Sequence, residues 1–598
     1  MSQQSPDSSP TPASDDVVAQ VDDEVAEALR ESQPGDLAAN PPTAGTATTV
    51  GRTVARASTV MAAGTVVSRV TGVLRDITMT AALGFFLVSD AYSLGNSLPT
   101  VVYILVIGGA LNAVFIPQLV RRMKDDPDGG RAYADRLITL VATILLVLSV
   151  VAVVAAPWIV RLYTTSQFPP GEYDLAVAFA RLCLPQVFFY GLYTLLSQVL
   201  NARGRFGMPM FAPIANNVIA IATFLLFITV VGTSAAATGS LSSGAVLLLG
   251  IGTTLGVIAQ AVILIPVLWK SGYAWRPRFD WRGAGLGRAG TLATWTIGLV
   301  LVNQAVYIVI TRLATLANVN ASAAGVAAAG LTTYQKAHLV FLLPHSVITV
   351  SVVTALLPAL SRVAHDGNLR QVGADLSRTM RIVAALIVPI AMVFIVNGAS
   401  IAILLFGYGA ATPDQAGLMG LIVSVFMIGL LPFTLFYVLL RGYYALEDTR
   451  TPFFLTVAFS VVLLVLVFPL FARAGDGGRQ VASIALAYSL SYWVGFIVTW
   501  IVLARRLGSM DSRATTGALA RIIGAGLLSL AAMAGTLVGL LHLLDGYHPD
   551  HKPQLLLLVI VTTAVGLAVY LAAAWILRID EVRMAVRGGP RMLRRAVP

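Results

Sequence analysis

The sequence predicts an all-α polytopic membrane protein with about fourteen transmembrane helices. Three observations lead there. The chain is 57% hydrophobic and only 12% charged, where a soluble domain averages about 25% charged residues. Apolar runs of at least the roughly 20 residues needed to cross a bilayer recur along it. The basic residues fall in alternate loops.

The spans follow in order: 57–84, 88–120, 134–162, 173–201, 208–233, 243–271, 289–316, 328–361, 374–406, 415–445, 450–473, 480–504, 515–543 and 553–578. Several exceed 25 residues, which calls for tilt or kinks. Pro99, Pro185, Pro213, Pro344, Pro389 and Pro432 lie inside them as kink sites. Between the spans the loops are short, and none is long enough for a soluble catalytic domain. Most of the 40 lysines and arginines sit on one side of the predicted bundle. The other side has about five: Arg161, Arg312, Arg473, Arg479 and Lys552. The positive-inside rule then places both termini in the cytoplasm and requires an even number of spans.

Residues 1–56 are polar and acidic and have few large apolar groups. Such a segment cannot bury enough surface to offset its ordering entropy, so it reads as a disordered tail, with a short helix conceivable at 15–31. It is not a signal peptide, lacking a basic start and an apolar core. A single cysteine, Cys183, excludes an internal disulfide and a cysteine-based metal site. The net charge of +11 belongs to the membrane-flanking loops and does not indicate nucleic acid. No GxxxxGK[ST], no HExxH and no pair of carboxylates suited to acid–base work occurs, so no enzyme chemistry and no cofactor is expected.

The first span reads "SRVTGVLRD" at 68–76, which puts Arg69, Arg75 and Asp76 in an apolar helix. An arginine at a helix centre costs about 2.5–3.5 kcal/mol on insertion scales unless it faces protein or water. Arg69, Gly72 and Asp76 share one helical face; Arg75 stands roughly 100° from Asp76 on the adjoining one. A polar stripe lining a hydrated cavity accounts for them. A structural Arg–Asp pair is the alternative, in which Asp76 is only a partner. Asp90, Asn96 and Asn112 in the second span, Asn216-Asn217 in the fifth, Asn303, Gln304 and Arg312 in the seventh, and Tyr334, Gln335, Lys336 and His338 in the eighth add polarity. Isolated amides in membrane helices more often hold helices together than bind ligands. Arg312, near the outer end of its span, has a snorkelling alternative. Cations inside a membrane suit an anionic cargo, and the guanidinium fork matches phosphate oxygens.

The motifs "SRVTGVLRD" (68–76), "DAYSLGNSLP" (90–99), "NARGRFGMPMFAPIANN" (201–217), "LPHSVITVSVVTALLPALS" (343–361), "LLFGYGA" (404–410) and "GYYALEDTRTP" (442–452) resemble, in order, those of the lipid II flippase family MurJ/MviN. That family belongs to the multidrug/oligosaccharidyl-lipid/polysaccharide exporter superfamily. The resemblance implies two six-helix lobes plus two C-terminal helices: an N-terminal lobe at 57–272, a C-terminal lobe at 287–507, an extra pair at 513–579 and a basic cytoplasmic tail at 580–598. It implies a plasma-membrane transporter that moves lipid II, an undecaprenyl-diphosphate-linked peptidoglycan precursor, from inner to outer leaflet by alternating access. The expected partners are lipid II, membrane lipids, and cell-wall synthesis and division proteins. A coupling ion or the membrane potential would drive it.

The resemblance further implies substrate contacts for Arg69 and Arg75, with Lys336, Arg312 and Asn96 as additional substrate-binding candidates. Asp76 and Asp90 are expected to be structural or gating, Asp90 at the outer gate. Asp448 is a candidate cation ligand, with a helix-capping role as the alternative. The chain departs from the family in three places, one of them Gly108-Gly109 in the second helix, where an acid–Gly pair is usual. Tyr103 stands where many members carry a second-helix arginine. Leu339 falls where many carry an arginine in helix eight, and Lys336 lies three residues earlier on the same face. A flippase for another lipid-linked oligosaccharide, a cation-coupled drug exporter and a transport-inactive cell-wall scaffold are the competing readings.

Overall fold

The computed structural model describes residues 44–107, 127–128, 130–239, 241–280, 290–327, 329–508, 510–544 and 546–584, the side chains of 44–63, 106–107 and 290–293 excepted. The expected tail over 1–43, Gly108, Gly109, Asn112 and the basic loop residues 121–124, the loop over 281–289 and the basic tail from 585 onward lie outside these residues.

Fourteen long helical segments follow one another, with no strand among the described residues. They are α1 Ala44–Leu83, α2 Leu87–Ile107, α3 Arg131–Val154, α4 Pro170–Ala202, α5 Gly207–Val230, α6 Ser243–Lys270 and α7 Gly290–Ala323. Then come α8 Leu331–His365, α9 Leu369–Phe406, α10 Pro413–Met427 with Leu430–Ala445, α11 Arg450–Arg473, α12 Gly477–Leu507, α13 Ser512–Leu543 and α14 Lys552–Ile576. Among the described residues eleven are long and apolar enough by themselves to cross a membrane, and α10, bent by 48° between its halves, makes twelve, against the fourteen expected. The remaining two, α1 and α2, both adjoin residues outside the described set. The described part of α1 starts at Ala44, inside the segment expected to be tail.

Proline explains most of the irregular places. Pro185 sits at the break within α4. Pro344 precedes a wider π-turn over His345–Thr349 inside α8, and Pro432 opens the second half of α10. Short polar side chains cap where the chain re-enters a helix. Ser242 accepts from the Ala245 amide, and Thr412 and Gln415 cap α10 reciprocally.

Helices α1–α6 pack among themselves, α1 on α5 and α5 on α6, while α2 lies on α4. Helices α7–α12 form a second group, α9 on α10 and α11 on α12. The α13–α14 pair docks on α9. There Tyr570 donates to the Ala385 carbonyl (2.9 Å) and Thr562 to Asn397 (2.8 Å). The two lobes touch at the end where α1 stops and α2, α8 and α10 begin. The Ala410 amide donates to the Ala81 carbonyl across that seam (2.8 Å). Gly409, with φ +62°, approaches Ala81 so closely that a Cβ would collide with its carbonyl.

Asp448 lies in the loop between α10 and α11. It accepts from the Thr451 amide (3.0 Å) and hydroxyl (2.6 Å) and pairs with Arg506. Partial burial pushes its carboxyl up, but the hydrogen bonds from Thr451 and Arg506 outweigh this and hold it below the ordinary value. A depressed folded value stabilises the fold above the unfolded value of about 3.9 and is lost as pH falls through the lower folded one. Asp448→Asn is therefore expected to lower the melting temperature of the purified protein at pH 7. The deficit, about 1 kcal/mol because Arg506 is partly in solvent, should shrink in melts run at successively lower pH below 4.

Candidate functional site: a cavity between the lobes

Helix α1 enters the seam with its polar face inward. Arg75 and Asp76 reach a cavity of about 600 Å³ walled by α1, α2, α4, α5, α6, α7 and α8. Lys336 of α8 reaches it from the opposite lobe and forms an ion pair with Asp76. Arg75 pairs with the other Asp76 oxygen at 3.4 Å and donates to Asn217 of α5 at 3.3 Å. Asn217 in turn donates to the Ser68 carbonyl (3.1 Å) and the Thr71 hydroxyl (3.0 Å). Its amide thus fixes α5 to α1 and orients the guanidinium.

One carboxylate serves two cations. Its side chain and that of Lys336 are 9% and 8% exposed, whereas that of Arg75 is 36% exposed. Asp76, Arg75, Lys336 and His338 are the Asp, Glu, Arg, Lys and His side chains on the cavity wall among the described residues. With His338 neutral the wall carries a single excess positive charge. His338 donates to or accepts from Tyr488 (3.2 Å) and lies parallel to Tyr334 at 6.0 Å.

Asp90 works elsewhere. It is fully buried at the start of α2 and accepts from the Leu331 amide (3.0 Å), the Thr332 amide (2.7 Å) and Asn318 (2.8 Å). The free amides at the N-terminus of α8 and its dipole favour an anion there. A Cβ at Gly330 would collide with the same carboxylate. Asp90 thereby ties the N-terminal lobe to α7 and α8 beyond the inner wall of the cavity.

The other expected residues divide plainly. Asn96 lies on the cavity wall. Arg69 is exposed on α1, on nearly the same face as Asp76 and about 10 Å toward the N-terminus, and is not part of the wall. Arg312 is exposed on α7 and does not line the cavity either. Asp448, its oxygens already taken by donors, is far along the chain in a loop. Tyr103 bonds Thr194 (2.7 Å), and Leu339 lines the cavity one turn from Lys336.

Several wall residues escaped the sequence reading. Tyr92, Tyr190 and Gln186 line the cavity. The break at Pro185 was the available signal for Gln186, since it turns the following residue inward. Of the amides, Asn216 bonds Gln260 (3.1 Å) and Gln335 bonds Tyr307 (3.1 Å), which is helix-to-helix bonding by groups that also face the cavity.

The profile of the family described as "Lipid II flippase MurJ" matches residues 79–553. The chain belongs to the MurJ family. A probable lipid II flippase MurJ of Rhizobium meliloti is 27% identical over 445 residues, covering 73% of this chain and 78% of the relative. The lipid II flippase MurJ of Burkholderia cenocepacia is 28% identical over 423 residues, covering 69% and 78%. Among solved structures, a lipid II flippase MurJ in an inward closed conformation superposes with a TM-score of 0.66 at 20% identity, covering 87% of this chain and 99% of that one. An inward-facing MATE family transporter of the MOP superfamily gives 0.52 at 14% identity, covering 74% and 96%. These two structures show a shared fold. The fourteen segments and two-lobe packing are those of a MurJ-family transporter.

The charge arrangement predicts an order of stabilities. Asp76→Asn leaves two cations facing each other without an anion, whereas Lys336→Met leaves the Arg75–Asp76 pair intact. Asp76→Asn is expected to destabilise more, by about 3–5 kcal/mol. The double variant should recover part of that loss, and a thermal-melt double-mutant cycle measures the coupling.

Proposed function

We propose that the chain flips lipid II from the inner to the outer leaflet of the plasma membrane, with both termini cytoplasmic. The observation that carries this is the polar, net-positive cavity held between two lobes of a MurJ-family fold. Lipid II joins a diphosphate-sugar headgroup to a long apolar tail. The headgroup cannot cross about 30 Å of hydrocarbon unaided. The Arg75 guanidinium and the Lys336 ammonium replace water around the diphosphate, and the tyrosines and amides of the wall accept the sugars. Arg69, on nearly the same face of α1 as Asp76 and closer to the helix N-terminus, meets the headgroup before it reaches Arg75.

In the orientation given by the positive-inside rule, the Asp90 seam is the outer end. The structure is then closed outward, and lobe rocking about the cavity supplies alternating access. The inside-negative potential favours outward movement of an anion by about 2.3 kcal/mol per charge per 100 mV, so no bound coupling ion is required by this reading.

Arg75→Ala is expected to abolish rescue of cells depleted of their own lipid II flippase while the variant remains folded in the membrane. Lipid II should accumulate in the inner leaflet, measured by its accessibility to an externally added lipid II-cleaving toxin. Arg69→Ala should reduce rescue in the same assay. Full growth on Arg75→Ala as sole copy is the result that would remove Arg75 from the mechanism. A scaffold role would leave the lipid II distribution unchanged on depletion.

A further inference from the structure

The second half of α10 reads LLPFTLFYVLLRGYYA over 430–445. Phe433, Tyr437, Arg441 and Tyr444 recur in it at helical spacing and so share a face. That face meets α8 where its π-turn begins. His345 stands edge-on to Phe433 (4.6 Å) and to Tyr437 (4.8 Å). It lies seven residues after the cavity residue His338, on the same side of α8. The Arg441 guanidinium lies over the Tyr437 ring at 4.2 Å and reaches Tyr444 at 5.5 Å. Among the described residues no carboxylate and no hydrogen-bond acceptor is found for it, and its Nε is buried without a partner. Arg136, Arg381 and Arg506, at the same end of the bundle, each hold a carboxylate. His345 is 6% exposed, and its Nδ1 is likewise buried and unpartnered.

We propose that Arg441, seated on Tyr437 and Tyr444 beside His345, is a second cargo site, which takes a carboxylate of the peptide that the cargo carries. The proposal rests on the transport reading above and extends it from the diphosphate to the far end of the headgroup. A peptidoglycan precursor bears a short peptide with free carboxylates. Stacking on tyrosine faces holds the guanidinium flat and leaves its terminal N–H groups free, and these match a carboxylate with two parallel hydrogen bonds. One cation suits one carboxylate, whereas the diphosphate has two cations at Arg75 and Lys336. The spacing fits as well. His345 is nine residues from Lys336, about 14 Å along α8 toward its inner end. Three extended peptide residues span roughly 10 Å, and the sugar between them and the diphosphate supplies the rest. The site therefore reads a part of the headgroup that a lipid-linked oligosaccharide without a peptide carboxylate lacks.

The test measures binding of two cargoes, lipid II and lipid II with every peptide carboxylate amidated. The full chain is held in phosphatidylcholine nanodiscs, where no anionic phospholipid competes. Wild type is expected to bind the amidated form about 10-fold more weakly. Arg441→Gln should bind both forms alike, at the affinity wild type has for the amidated one. Arg441→Lys should restore part of the preference. The comparison on wild type needs no variant, so a poorly folding Arg441→Gln does not decide the matter. Equal affinity of wild type for both forms overturns the proposal and leaves the transport reading standing. A preference kept in full by a folded Arg441→Gln overturns it too, because the carboxylate is then read elsewhere. The transport reading fails separately, if Arg75→Ala supports full growth.

Discussion

Taking an unpaired carboxylate or ammonium out of water costs several kcal/mol even after the protein relaxes. Arg75, Asp76 and Lys336 meet that cost by sharing, inside a bundle that is otherwise apolar. Asp76 is acceptable in α1 only because Arg75 and Lys336 face it. Lys336 is acceptable in α8 only because α1 comes across the seam to it. The arrangement thus binds the position of α1 to that of α8, and through Asn217 to α5. The cavity exists because these polar ends must meet in one place and cannot be filled by apolar packing.

The second constraint lies just beyond. The N-terminal amides of α8 need acceptors, and the carboxylate of Asp90 comes from the other lobe to provide them. Gly330 leaves the space that this carboxylate needs, and Gly409 does the same for the Ala81 backbone. Backbone donors satisfied across a seam are readily exchanged for water when the seam opens, because each hydrogen bond contributes only about 0.5–1.5 kcal/mol net. A closure of this kind holds one state without locking it.

The cavity itself is less cationic than the arginines of the sequence suggest. Asp76 neutralises one of its two cations, and Arg69 and Arg312 stand outside the wall. The wall therefore holds one excess positive charge rather than a large positive field. Both lobes contribute a cation, amides and tyrosines to the wall: Arg75, Asn96, Gln186 and Tyr190 from the N-terminal lobe, Lys336, Asn303, Gln304 and Tyr307 from the C-terminal one.

The sequence by itself determined the helices and their order. Apolar runs of membrane length are a local property, because each span must satisfy its own backbone in hydrocarbon. That is why the expected spans coincide closely with α1 to α14. It also marked Arg75, Asp76, Lys336 and Asn96 as polar groups that a bilayer would not leave exposed. Only the tertiary structure decided which of them meet. Arg69 and Arg75 look equivalent in "SRVTGVLRD", yet their helical faces differ by about 120°, and Arg75 reaches Asp76 and the wall while Arg69 does not. Lys336 and Asp76 are 260 residues apart, and Gln186, Tyr92 and Tyr190 join them only through helix packing. Pairing across lobes depends on crossing geometry, which no single helix encodes.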